Sequence, residues 1–259
     1  MPSFFYFAKK KMKNLFTIFF LVSSSLFLQG QDVDYSIWGI KGGTTVGFQT
    51  WNNIDQDALF AYNGSLFFES LDDLDAPASL FASIGFSQKG SAKRNIRLFD
   101  LNGNLLNTNV TRKYVFNNIV LALGAKKRLD RGSKSFTPYY TVGVFGSYTI
   151  STVLGQAATT GFGAIFDPID EYVRPVNYGI QLGGGFERRI NKYIGLQLDF
   201  SAFPELSYQY VEMYGGGNPP LVYNPYTGQQ VVLRDRNIRN LAFEITVGLR
   251  FLREIIYVD

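Results

Sequence analysis

The sequence predicts an all-β protein: an eight-stranded antiparallel up-and-down transmembrane β-barrel. Three observations carry that expectation. Apolar residues alternate with small or polar ones at period two, in run after run. Aromatic residues make up 16 % of the chain beside 26 glycines, with only 18 % charged residues. Apart from a short first outer loop, long and short connections take turns between the runs, as they do in barrels whose long loops lie on one side of a membrane.

The runs follow in order. Trp38–Phe48 sets Trp38, Ile40, Val46 and Phe48 against Gly39, Lys41, Gly43, Thr45 and Gly47. Phe60–Phe68 sets Phe60, Tyr62, Leu66 and Phe68 against Asn63, Ser65 and the following Glu69. Leu80–Gln88 has Leu80, Ala82, Ile84 and Phe86 on one face, with Ser83, Gly85, Ser87 and then Lys89 on the other. Asn117–Lys127 is less regular, with Ile119, Leu121 and Leu123 against Asn118, Gly124 and Lys126. Pro138–Ile150 carries Tyr140, Val142, Val144, Tyr148 and Ile150 opposite Thr141, Gly143, Ser147 and Thr149. Asn177–Glu187 pairs Tyr178, Ile180, Leu182 and Phe186 with Gly179, Gln181, Gly183, Gly185 and Glu187. Tyr193–Phe203 shows Leu196, Leu198 and Phe200 against Gln197, Asp199 and Ser201. Leu241–Phe251 is the clearest, with Leu241, Phe243, Ile245, Val247, Leu249 and Phe251 opposite Glu244, Thr246 and Arg250. Two further stretches, Asp100–Asn104 (DLNGN) and Tyr226-Thr227-Gly228 before Gln229–Leu233, read as hairpins extending strands above the membrane. If either hairpin spans the bilayer, the count becomes ten.

The polar face is mostly Gly, Ser and Thr, which suits a narrow lumen better than a water-facing surface. Strands of about 9–11 residues suffice to cross the hydrocarbon at a tilt. The connections near 52–57, 90–113, 152–175 and 204–237 are expected outside the cell. Those near 71–79, 129–135 and 190–192 are expected as periplasmic turns. The apolar faces are thus expected to meet lipid, inverting the sense of a soluble barrel.

Residues 1–30 are expected to be a cleaved signal peptide and residues 31–259 the barrel domain with long extracellular loops. Lys9, Lys10, Lys11 and Lys13 precede the apolar run Leu15–Leu28, which is shorter than the ~20 residues of a spanning helix. Met12 is a second candidate start. Without those four lysines the chain carries 21 basic and 21 acidic residues, so no electrostatic footprint for nucleic acid remains. The absence of Cys and His excludes disulfides, thiolate sites and every Ser-His-Asp arrangement.

Several motifs resemble the PorT-like, Bacteroidetes-type outer-membrane β-barrel proteins. They are Gly39-Ile40-Lys41-Gly42-Gly43, Phe86-Ser87-Gln88-Lys89-Gly90, Pro138-Tyr139-Tyr140 and Tyr178-Gly179-Ile180-Gln181-Leu182-Gly183-Gly184-Gly185. Phe116–Ala125 departs from the family in lacking its Glu-Ile-Pro. The resemblance implies fold and outer-membrane location, and an accessory role in protein secretion for the family's namesake.

On the polar faces, Lys41, Lys89, Lys126 and Arg250 balance Glu69, Glu187, Asp199 and Glu244. They are expected to form a neutral salt-bridged plug, because eight strands leave room only for side chains. Glu244→Ala is then expected to strand a buried charge. Asp199 with Glu244 is the one pair that suggests acid–base work, and no third partner accompanies it. The glycine clusters 183–185 and 215–217 match no phosphate-binding pattern, and Asp167, Asp170 and Glu171 read as a solvated loop. Tyr208, Tyr210, Tyr214, Tyr223 and Tyr226 stand among Gly and Pro in the last outer loop, as adaptable contact residues do. The expected function is a non-enzymatic structural or interaction barrel presenting surface loops, without cofactor or metal. Its expected partners are the bilayer and a protein gripping loops or periplasmic turns. The alternatives are a small-solute pore and a ligand- or adhesion-binding barrel.

Overall fold

The computed structural model describes residues 35–51, 56–71, 76–100, 102–129, 136–154, 167–213, 221–232 and 234–254. The expected signal peptide and Tyr214 lie outside them. Among the described residues eleven strands are present: β1 (Tyr35–Thr50), β2 (Asp57–Leu71), β3 (Ala78–Phe99), β4 (Leu105–Arg128), β5 (Thr137–Leu154), β6 (Val176–Arg189), β7 (Ile194–Pro204), β8 (Tyr210–Glu212), β9 (Leu221–Asn224), β10 (Gln229–Val232) and β11 (Arg236–Glu254). Eight of them form an antiparallel ring in the order β1-β2-β3-β4-β5-β6-β7-β11, and β11 closes on β1 from Tyr35↔Glu254 to Thr50↔Arg239. Closure leaves no open edge within the wall. The ring is eight-stranded, because β9 and β10 pair only with each other and β8 lies on the upper end of β11.

The alternation sorts as a lipid-facing barrel requires. Phe60, Leu80, Val144 and Val247 are 72, 62, 61 and 60 % exposed, and Trp38, Ile40, Leu66, Tyr178 and Phe186 join the same outer surface. Thr45, Glu69, Lys126, Gln181, Asp199 and Thr246 point inward and are buried. An apolar surface running round the whole wall far exceeds the few hundred Å² that soluble monomers expose. Stacked Trp38 and Phe251, with ring centroids 4.5 Å apart, mark the end of the belt beside the chain termini.

Most strands outrun the length that crossing requires. β3 and β4 extend as a long hairpin beyond the belt and turn at residues 100–104, where Gly103 takes φ +80° without the Cβ clash of other residues. The fourth run reads as less regular because Val120 and Ala122, on the inward parity of β4, are apolar and pack with Phe145 and Phe203. The register of β4 against β5 slips between Asn117↔Ser151 and Asn118↔Thr149, a bulge that leaves Ile150 unpaired. Inside the wall some approaches are closer than any Cβ permits. A methyl group on Gly185 would stand 1.9 Å from the Leu198 carbonyl oxygen, so this glycine relieves lumen crowding.

Candidate functional site

The lumen is filled in layers. At the end nearest the termini, Ile37, Phe67 and Leu71 pack together. Above them Lys126 and Arg128, two residues apart on β4 and so on one face, meet carboxylates from across the ring. Lys126 Nζ lies 2.8 Å from Glu69 and 2.7 Å from Glu187. Arg128 spans the same two carboxylates at 2.7 and 2.5 Å, and Arg250 reaches them at 3.3 and 2.7 Å. Three cations therefore surround two carboxylates, with Tyr139 offering its ring face 4.0 Å from Lys126.

The next layer is Lys41 with Asp199, 3.1 Å apart. Asp199 also accepts hydrogen bonds from Gln197 at 2.9 Å and from the Tyr139 hydroxyl. Glu244 accepts from Ser87 at 2.7 Å. Gaps of about 20 and 30 Å³ flank these groups, both touching Lys41, Ser83 and Gln181. Each has room for one or two water molecules. Phe145, Phe203, Ala122 and Ala242 then narrow the lumen. Lys89 follows, paired with Glu205 at 3.0 Å with both side chains essentially inaccessible, and its ammonium lies 4.3 Å from the centre of the Phe145 ring. Glu205 also accepts from Asn240, which is tied to Gln49 and Gln209.

An apolar cap seals the far end: Trp51, Tyr114, Phe116, Leu154, Tyr210 and Ile238. Over it the loops are fastened to one another. Arg112 donates to Asp167 at 2.7 Å, and the hydroxyls of Tyr114 and Tyr226 donate to the same carboxylate. Burial pushes the Asp167 carboxyl above its ordinary range, against the pull of Arg112, and pushes the Tyr226 hydroxyl up as well. The β9–β10 turn leans on the tip of the β3–β4 hairpin. Phe99 donates its backbone N–H to Pro225 at 2.9 Å, and Tyr223 donates to the Asp100 carbonyl. Tyr210 donates to Glu212 at 2.9 Å, and Glu212 lies 3.7 Å from Arg236.

The eight charged lumen residues read from the sequence lie in this stack, but not all pair with one another. Lys89 takes Glu205 rather than a wall carboxylate, and Glu244 rests on a hydroxyl. Arg128 shares the parity of Lys126 and was legible in the sequence. Glu205 was hidden behind Pro204, which reads as the start of a loop. The loop tyrosines divide. Tyr210 is fully buried and offers no contact surface, because its ring completes the apolar cap. Tyr223 and Tyr226 are half-buried braces, and Tyr208 lies under Arg239 at 4.2 Å. Asp167, read as part of a solvated loop, is likewise buried beneath the hairpins. Among the described residues no group of three metal-ligating side chains converges.

No protein-family model and no curated protein matches the chain. Solved outer-membrane proteins are similar in course. The outer membrane protein OprG from Pseudomonas aeruginosa aligns at 11 % identity and TM-score 0.42, over 88 % of this chain and 99 % of that one. Neisserial surface protein A aligns at 9 % and 0.40, over 84 and 96 %. Ail, the attachment invasion locus protein of Yersinia pestis, aligns at 10 % and 0.37, over 83 and 99 %. The assignment as an eight-stranded barrel rests on the closed ring and its inverted faces.

Proposed function

We propose that this chain is a non-enzymatic integral outer-membrane barrel that displays braced extracellular loops to a binding partner and passes no solute. One observation carries the reading: a continuous apolar outer wall encloses a lumen stopped by buried ion pairs and an apolar cap. Such a wall is stable only in lipid, and a lumen so filled suits a scaffold rather than a channel. The short turns and both ends of the ring share one side, which supports a reading with the β3–β4 and β9–β10 hairpins outside the cell. The kinship with PorT-like proteins, and with it an accessory role in secretion, belongs to the same proposal and rests on the strand motifs.

Two measurements test it. Nitroxide labels at positions 182, 243 and 247 should be quenched by lipid-soluble oxygen, and a label at position 246 should not. Photo-crosslinkers placed at Leu105 or Leu221, both exposed on the hairpins, should trap one recurrent protein in native membranes. Lipid inaccessibility of the first set would remove the membrane placement. The absence of any recurrent adduct would remove the interaction role.

A further inference from the structure

At the end of the barrel where Tyr35 pairs with Glu254, exposed cations stand over aromatic rings on the sector of β6, the β6–β7 turn and the end of β11. Arg188 on β6 points outward over the Phe136 ring at 5.2 Å, and Lys192 in the β6–β7 turn lies 5.8 Å from the Tyr193 ring. The backbone N–H of Leu252 donates to the Tyr193 carbonyl at 2.8 Å, which brings exposed Arg253 beside that turn. Around them Phe136, Phe186, Ile190 and Tyr193 are 51, 49, 57 and 63 % exposed. Glu187, on β6 beside Arg188, points inward and is held by Lys126, Arg128 and Arg250.

Three outward cations over a band of aromatic rings match the amphipathic layer of phosphodiester headgroups above acyl chains. We propose that the sector formed by β6, the β6–β7 turn and the end of β11 binds an anionic phospholipid headgroup of the periplasmic leaflet, through Arg188, Lys192 and Arg253. The proposal rests on the membrane placement above. The rings fix the depth of the sector in the interface, and the cations supply the charge selectivity.

The test titrates detergent-solubilised, folded protein with fluorescent phosphatidylglycerol and with phosphatidylcholine of the same chain length. Phosphatidylglycerol should bind more tightly, and its advantage should shrink as salt rises. Each surface cation contributes about five-fold in occupancy, so the combined variant Arg188→Gln, Lys192→Gln and Arg253→Gln should lose roughly a hundred-fold. These side chains are exposed, and heat-modifiable mobility on gels reports whether the barrel is intact. Lys127→Gln, two strands away on β4, should change little. Equal binding of the two lipids, a preference that survives the triple variant, or an equal loss in Lys127→Gln would overturn the assignment. So would displacement of the lipid by inorganic phosphate at matched concentration, which would mark a free-ion site. The spin-label pattern separates these failures from a barrel that is not embedded at all.

Discussion

Glu69 and Glu244 are both inward carboxylates, yet they do different work. Glu69 faces Lys126, Arg128 and Arg250, so Glu69→Ala leaves three buried cations with Glu187 alone. It should cost about 3–5 kcal/mol in urea unfolding of the lipid-embedded protein. Glu244 bonds Ser87, and Glu244→Gln preserves an acceptor there, so its cost should stay near 1 kcal/mol. This corrects the expectation that deleting Glu244 strands a cation. Period two shows which side chains point inward, but not how far across the lumen each one reaches. Asp167 supports a pH prediction. Its carboxyl is already raised by burial, and Arg112→Met removes the counter-charge that holds it down. A carboxyl whose folded pKa exceeds its unfolded one weakens the fold as pH rises through that window, and this loss is relieved as pH falls. Protection of residues 221–232 from proteolysis should therefore drop at neutral pH in Arg112→Met and recover on acidification. A flat profile would mean that Asp167 does not hold the loops.

At the scale of elements, the ring strands were largely legible, because a face either meets lipid or fills the lumen and a one-residue slip would exchange the two. The hairpin that extends β3 and β4 above the membrane was legible from its Asp100–Asn104 turn, but the exact reach of its strands was not. Beyond the bilayer both faces meet water or other loops, and the alternation that marks a spanning strand fades into Asn, Thr and Arg. The β9–β10 hairpin was visible through its turn residues, while the burial of Tyr210 depends on contacts with β4 and β11 that no local pattern encodes. The wall itself gives a sharp prediction. Arg at Leu182, Phe243 or Val247 should cost about 2–4 kcal/mol where the position lies near the midplane. Arg at Gly183 fails for another reason, since even a Cβ there would lie 2.6 Å from the Ser201 hydroxyl and 2.9 Å from the Phe200 carbonyl. Refolding into vesicles of thinner bilayers separates the two. The lipid-face variants should recover in part as the midplane cost falls, and Gly183→Arg should not.

At the scale of the whole molecule, the described residues form a closed wall around a filled interior, and a prediction about permeability follows from that. The basic and apolar leader should be absent from the membrane form, with the mature chain beginning near Gln31 by N-terminal sequencing; recovery of residues 1–25 would contradict this. Permeability is the larger question. Open aqueous lumens appear at about 16 strands, and eight give an interior that side chains can fill. Here the path is interrupted by chemically different stops. The cluster around Glu69 and Glu187 closes the end beside the termini, the Lys89–Glu205 pair with Phe145 and Phe203 closes the middle, and the Trp51–Tyr210 cap closes the outer end. An ion crossing this stack would have to part buried ion pairs and then pass an apolar layer with no polar replacement for its hydration. Loss of one charge opens only one layer. Planar bilayers holding the wild type should therefore show no stepwise current, and Glu69→Ala should stay silent despite its lower stability. Removing the cap through Tyr210→Ala also leaves the two deeper stops in place, so it too should not conduct. Discrete openings in the wild type would return the pore reading to first place, whereas current confined to a variant lacking both Lys89 and Tyr210 would show that the cluster around Glu69 and Glu187 is not itself a stop.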